Sequence, residues 1–148
     1  MQPLLIVTGS VTGTSSSVGR YLKKSLSRDF AVEITDSPTI QDIASYRDDK
    51  IVFCFSNTGH GELPESLRPF HQELMQRKAG LEGVNYWLIN LGDRHFTTFG
   101  QSGRTLDAAL HRCGATRKSD ILLLDVFKDI YPAKVSFAWF MKQLEIDP

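Results

Sequence analysis

Short apolar segments alternate with amphipathic segments along this chain, and that alternation limits the folds open to it. The mainly apolar segments are Leu4–Val7, Ile51–Phe55, Val84–Leu91 and Ile121–Leu124. Such segments are typical of strands buried on both faces, as in a parallel sheet covered by helices. A fifth segment, Ala31–Thr35, alternates apolar with polar residues and so predicts an edge strand.

Four segments between and after these strands carry apolar residues at helical spacing. They contain Val18, Tyr21, Leu22 and Leu26; Leu67, Phe70, Leu74 and Met75; Leu106, Ala109, Leu110 and Cys113; and Phe137, Phe140, Met141 and Leu144. Because crossovers between parallel strands are right-handed, this order predicts an α/β fold with a three-layer, doubly wound, five-stranded parallel sheet. We expect one domain over residues 1–148, with a ligand crevice at the carboxyl ends of the strands.

Composition excludes several classes of function. The 17 basic and 17 acidic residues balance to a net charge of zero, which argues against a nucleic-acid binder. No apolar run approaches the roughly 18 residues of a membrane span, and no basic leader precedes the first strand. Two cysteines are too few for a disulfide framework or a four-cysteine zinc site. We therefore expect a cytoplasmic protein without a membrane or nucleic-acid partner.

The loop after the first strand has the chemistry of a phosphate site. Residues 8–17 are rich in hydroxyls and glycine, contain no cation, and lead into a helix. The amides and partial positive charge at a helix N-terminus bind phosphate, and the hydroxyls of Ser10, Thr12, Thr14 and Ser15 add donors. A helix cap in a Ser/Thr-rich turn is the alternative, but it explains only one or two of these residues.

A nicotinamide-binding oxidoreductase is a second interpretation of this loop. Gly9 and Gly13 begin a dinucleotide pattern, and Asp36 ends the second predicted strand, where an acid binds ribose. However, Ser15 replaces the last glycine of that pattern. The accompanying Tyr46-x-x-x-Lys50 pair precedes the third strand, and the chain is short for such an enzyme. A nucleotide triphosphatase loop is excluded, because no lysine follows its second glycine.

Two more loops at the same sheet edge suit a flat ligand. Residues 56–64 follow the third strand and residues 91–100 follow the fourth. The glycines on either side of His60 let the backbone approach a ligand closely. Phe96 offers an aromatic face within a polar loop.

Taken together, the three loops resemble the flavodoxin family, in its short bacterial, MioC-like form and in the FMN domains of diflavin reductases. The resemblance covers essentially the whole chain. It is carried by Gly9-Ser10-x-Thr12-Gly13-Thr14, by Asn57-Thr58-Gly59-x-Gly61-Glu62-x-Pro64 and by Leu91-Gly92-Asp93-x-x-Phe96-x-x-Phe99.

The resemblance implies a sheet order of 2-1-3-4-5, FMN as cofactor, and electron transfer rather than catalysis, with no catalytic residue and no metal. A flavin-dependent reductase and an acceptor enzyme would dock transiently near the flavin edge. A cofactor-free interaction module remains a further alternative. By resemblance the FMN-binding residues are Ser10, Val11, Thr12, Gly13, Thr14 and Ser15; Ser56, Asn57, Thr58, Gly59, His60 and Gly61; and Leu91, Gly92, Asp93, His95, Phe96, Phe99 and Gly100.

The sequence departs from the family pattern in two ways. Thr58 stands where many relatives have an aromatic residue, so we expect the flavin to be stacked on one face only, against Phe96. The chain is neutral, whereas flavodoxins are often strongly acidic. Glu62, Glu65 and Asp93 are candidates for docking a basic reductase, or are ordinary solvated acids.

Overall fold

The computed structural model describes residues 1–9, 13–58, 60–128 and 131–145. In this part of the chain one parallel sheet forms, in the order β2-β1-β3-β4-β5, with β6 also paired to β4. Its strands are β1 (Gln2–Thr8), β2 (Phe30–Thr35), β3 (Lys50–Ser56), β4 (Asn85–Gly92), β5 (Thr116–Arg117) and β6 (Leu122–Asp125). The predicted order 2-1-3-4-5 is confirmed.

Helices lie between the strands and after the last one. They are α1 (Thr14–Leu26), α2 (Ile40–Ala44), α3 (Arg68–Arg77), α4 (Gln101–Arg112) and α5 (Pro132–Gln143), and one 3₁₀ turn (Glu65–Leu67) leads into α3. Among the described helices, none is long and apolar enough to cross a membrane.

The sheet separates two apolar cores, as a three-layer fold requires. Residues of α2, α3 and α4 pack on one face, against Phe53 and Phe55 of β3. Residues of α1 and α5 pack on the other face, against Val52 and Cys54 of the same strand. Alternate side chains of β3 therefore enter opposite cores, and burial raises the pKa of the Cys54 thiol to about 12.

The two edges of the sheet differ. As predicted, β2 is an edge strand with alternating exposure. At the other edge, the predicted fifth strand is divided into β5 and β6, both paired with β4. Arg117 is the last residue of β5, and its side chain donates to the carbonyl of Ser119, in the connection between the two strands, at 2.7 Å. Only β6 had been predicted, because the polar pair in β5 carries no strand pattern.

Candidate functional site

A cavity of about 340 Å³ opens at the carboxyl ends of the strands. This volume lies within the range of small-molecule sites. Its walls come from the start of α1 and from the segments that follow β3, β4 and β6. The lining residues are Thr14, Ser56, Asn57, Leu91, Gly92, Asp93, Phe96, Thr98 and Val126.

The N-terminus of α1 forms one side of the cavity and has the features of an anion site. Gly13 is the N-cap residue in a left-handed conformation, and no described side chain caps the first turn of the helix. That turn contains no acidic residue, and Thr14 faces the cavity. The free amides and partial positive charge of this turn suit a phosphate group.

The loop that leads into α1 is packed against the loop after β3. A Cβ atom added at Gly9 would lie 2.4 Å from Pro64 Cγ, so only glycine fits at this approach. The buried Ser15 hydroxyl donates to the Gly9 carbonyl. Ser15 therefore ties the loop to the helix, and its backbone amide, rather than its hydroxyl, is the group it can offer a ligand.

Asn57 joins two walls of the cavity. Its Nδ2 donates to the Thr98 carbonyl at 3.0 Å. Its Oδ1 accepts from the Ser102 backbone N–H at 3.1 Å and also from the Ser102 hydroxyl. Since Ser102 belongs to the first turn of α4, one amide side chain fixes the loop after β3 to the loop between β4 and α4.

A tight turn closes the loop after β3. Thr58 and Glu62 form an antiparallel bridge, with the Thr58 N–H donating to the Glu62 carbonyl at 3.0 Å. Gly61 has a φ of +97°, and a Cβ added there would lie 2.7 Å from Thr98 Cβ. Glycine is therefore required at this position for both conformation and space. His60 is exposed at the turn.

The loop between β4 and α4 holds a paired carboxylate and an exposed ring. Asp93 accepts from the His95 backbone N–H at 2.9 Å, and His95 Nδ1 lies 2.8 Å from the same carboxylate oxygen. These hydrogen bonds lower the pKa of Asp93. Phe96 lines the cavity but is 65% exposed, so its ring is available to a flat ligand.

A fourth segment, after β6, completes the cavity. Val126 lines it, and the Val126 N–H donates to the Gly92 carbonyl at 2.9 Å. The buried Asp125 carboxylate accepts from the Phe127 N–H, and Arg94 Nε lies 4.0 Å from its Oδ2. Sequence reasoning missed Val126 and Thr98. For Val126 a signal existed, because the fifth predicted strand ends at this same edge.

The predicted site residues divide into three groups. Those that line the cavity are Thr14, Ser56, Asn57, Leu91, Gly92, Asp93 and Phe96. Those that lie in the same loops without lining it are Gly13, Ser15, Thr58, His60, Gly61, His95, Phe99 and Gly100. Ser10, Val11, Thr12 and Gly59 lie outside the described residues.

The residues of the dinucleotide interpretation do not meet at this cavity. Asp36 lines a separate depression with Arg20 and Thr35. Tyr46 follows α2, and Lys50 begins β3 at the amino end of the strand, where its Nζ lies 3.1 Å from Gln2 Oε1. The fold therefore separates the Tyr46–Lys50 pair from the helix N-terminus that would bind phosphate.

Comparison with known proteins agrees with the loops and the sheet order. The family model for flavodoxin matches residues 6–143. The chain belongs to the flavodoxin family. Flavodoxin YqcA of Pectobacterium carotovorum subsp. carotovorum is 29% identical over 140 residues, which are 94% of this chain and 93% of that protein.

Two further matches extend this family relationship. The sulfite reductase (NADPH) flavoprotein alpha-component of Aliivibrio fischeri is 31% identical over 125 residues, 83% of this chain and 21% of that protein. A cysteine-to-serine mutant of flavodoxin from Pseudomonas aeruginosa superposes with a TM-score of 0.81 at 25% identity, covering 97% of this chain and 99% of that one. The predicted family and fold are confirmed.

The cavity fits FMN, the cofactor that family membership supports. Apolar groups of Leu91, Phe96 and Val126 suit a flat ring system, while Asn57 and Ser56 bring polar atoms to the same walls. The uncapped N-terminus of α1 suits the phosphate. No described lysine or arginine lines the cavity, so its described lining offers a phosphate only backbone amides and hydroxyls.

Proposed function

We propose that this protein is an FMN-binding one-electron carrier that passes electrons from a flavin-dependent reductase to an acceptor enzyme in the cytoplasm. The observation that carries the proposal is the meeting of an uncapped helix N-terminus with two mutually bonded loops around one cavity. FMN, when bound, supplies the redox chemistry, and the protein supplies binding, orientation and electrostatics.

Segment 10–15 and the first turn of α1 would hold the phosphate. This part of the proposal rests on Gly13 and Thr14, since Ser10, Val11 and Thr12 lie outside the described residues. Ser15 acts by fixing the loop to the helix, because its hydroxyl is bonded to the Gly9 carbonyl.

The loops that contain residues 56–61 and 91–100 would hold the isoalloxazine ring. Phe96 would stack on one face of the ring, and Leu91 and Val126 would give apolar contact. Thr58, half-buried and outside the cavity lining, offers no second aromatic face. Asn57 acts as a positioning residue that holds the two loops at a fixed separation.

No described side chain in the cavity is arranged as a nucleophile with an activating base, which favours electron transfer over catalysis of a substrate reaction. The exposed guanidinium of Arg94 lies on the loop that bears Phe96. Its positive charge would favour electron uptake at the site and would raise the reduction potential.

Anaerobic reduction of the FMN-loaded protein tests this function. With a chemical reductant, potentiometry should resolve two one-electron steps, and the reduced protein should donate single electrons to a haem protein. NADPH added alone should leave the flavin oxidised, because Asp36 and the Tyr46–Lys50 pair, the described residues of the dinucleotide interpretation, lie away from the cavity. Direct reduction by NADPH, or a single unresolved two-electron step, would contradict the carrier function.

A further inference from the structure

Exposed apolar side chains lie on the loop after β4 and in the chain that follows β6, both of which contribute residues to the cavity lining. Phe96 belongs to the loop after β4, whereas Val126, Phe127 and Tyr131 follow β6. Phe127 is 75% exposed, and Phe96 and Val126 both line the cavity. We call these four residues the aromatic rim. Exposed apolar groups of this size beside a functional site are characteristic of protein contact surfaces.

Positively charged side chains lie on the segments that carry the aromatic rim. Arg94, whose side chain is 56% exposed, and the exposed Lys128 lie on the same two loops. Lys134 Nζ lies 5.3 Å from the centre of the Tyr131 ring. Three cations from three neighbouring segments thus accompany the aromatic rim.

Of the two described carboxylates on these loops, Asp125 pairs with Arg94 and offsets part of its charge, whereas neither is paired with Lys128 or Lys134. The Asp93 side chain is 18% exposed and bonded to His95, and the Asp125 side chain is 7% exposed and lies beside Arg94. Asp129 lies outside the described residues. The accessible charge of the described rim is therefore positive, although the whole chain is neutral.

The positive charge of the rim favours one class of docking partner over the others. A second copy docked through the same surface would bring its own Arg94, Lys128 and Lys134 against these cations, and a basic partner would be repelled in the same way. An acidic surface with an apolar centre would pair with the cations and cover the exposed rings.

We propose that the aromatic rim docks an acidic redox protein directly over the mouth of the cavity. This inference rests on the proposed electron-carrier function and specifies its partner. It is an alternative to docking of a basic reductase by Glu62, Glu65 and Asp93, of which Asp93 is bonded to His95 and largely covered.

Stopped-flow electron transfer to two haem proteins of opposite charge tests the inference. The FMN-loaded, reduced protein is mixed with the acidic soluble domain of cytochrome b5 or with basic cytochrome c. Between ~10 and ~150 mM salt, over which the Debye length falls from about 30 to 8 Å, the rate with the acidic protein should fall at least about fivefold. The rate with cytochrome c should stay level or rise.

Two substitutions locate the contact. Lys128→Glu and Phe127→Ser should each lower the low-salt rate with cytochrome b5 about fivefold or more. Neither residue lines the cavity, so FMN content should not change. Lys24→Glu, in the last turn of α1, and Met75→Ser, on α3, are matched controls that should leave the rate unchanged.

Binding of cytochrome b5 can also be measured without electron transfer. Cytochrome b5 added to ¹⁵N-labelled protein should perturb amide signals of residues 94–96 and 126–128, with or without flavin. Perturbation confined to residues 60–65, a faster rate with cytochrome c that falls with salt, or unchanged rates for both rim variants would overturn the inference. So would a wild-type dimer that Phe127→Ser dissociates. Failure of the proposed function would appear differently, as a protein that retains no FMN.

Discussion

At the scale of single residues, Asn57 is the side chain on which the geometry of the cavity most depends. Asn57→Ala removes its hydrogen bonds to the Thr98 carbonyl and to Ser102. We expect the apoprotein to lose about 1–3 kcal/mol of unfolding free energy, because the partly buried Thr98 carbonyl and the Ser102 N–H lose this partner. Urea unfolding measures this loss, and FMN titration should show weaker binding.

Asn85→Ala is the matched control for this change. Asn85 begins β4, at the end of the strand away from the cavity. The Asn85→Ala substitution should leave FMN affinity unchanged. Equal FMN affinities for wild type and the Asn57 variant would show that the bond between the two loops does not set the site.

Alanine substitutions at Gly61 and Gly80 distinguish the cost of conformational strain from the cost of a steric clash. Gly61→Ala and Gly80→Ala both place a side chain at positive φ, +97° and +107°, which costs about 1–2 kcal/mol. Only the Cβ at Gly61 would also meet Thr98; the one at Gly80 has nothing within 4 Å. In urea unfolding, Gly61→Ala should lose more stability than Gly80→Ala, and it alone should weaken FMN binding. Equal losses would indicate that the turn moves freely away from Thr98.

The lowered pKa of Asp93 predicts how the stabilising effect of this residue changes with pH. Its pKa is lowered by the hydrogen bonds from His95, so the folded state favours the ionised form. The resulting stabilisation is fully present above the ordinary value of about 3.9 and is lost as pH falls through the lowered folded value. Asp93→Asn should therefore unfold at a lower temperature than wild type at pH 7, and the difference should shrink on acidification.

Asp36→Asn, at an exposed aspartate outside the cavity, is the control for that pH series. Thermal unfolding from pH 7 down to about pH 2.5 follows the effect of Asp93 as the pH falls below its ordinary pKa and approaches its lowered folded pKa. A gap between wild type and Asp93→Asn that persists or grows below pH 3 would show that the Asp93 charge does not stabilise the loop.

At the scale of elements, we expect one negative charge added at the N-terminus of α1 to stabilise the apoprotein but to weaken FMN binding. Ser16→Glu places an acid in the first turn, which should stabilise the apoprotein by about 0.3–1 kcal/mol through the helix dipole. The same charge would oppose a phosphate, so FMN affinity should fall. Ser25→Glu, in the last turn of α1, should destabilise the helix slightly and leave FMN affinity unchanged. A Ser16 variant that binds FMN as tightly as wild type would place the phosphate elsewhere.

The elements differ in how well their sequences predict them. The strands β1, β3 and β4 are predicted because each has a central run that is buried on both faces and mainly apolar. The two-residue strand β5 is not, since its pairing with β4 depends on a partner and not on its own pattern. The loops were predicted from residue types, but the function of Asn57 was not, because its partners lie 41 and 45 residues away in the chain.

At the scale of the whole molecule, the sheet order explains why distant loops share one cavity. Strand order reverses between β1 and β3, which are neighbours in the sheet but are separated by β2 in the chain. Helices that leave these strands toward opposite faces open a crevice at such a point. The segments after β1, β3, β4 and β6 consequently meet at a single edge, where both the cavity and the aromatic rim are found.

The most direct measurement is titration of the apoprotein with FMN, riboflavin and NADPH, followed by flavin fluorescence and by calorimetry. Riboflavin has the same ring system as FMN and lacks only the phosphate. The account predicts one FMN per chain, riboflavin binding at least about tenfold weaker because the α1 N-terminus is left without its anion, and no binding of NADPH at the cavity. Absence of FMN binding, or NADPH binding that Thr14 and Phe96 variants abolish, would contradict it.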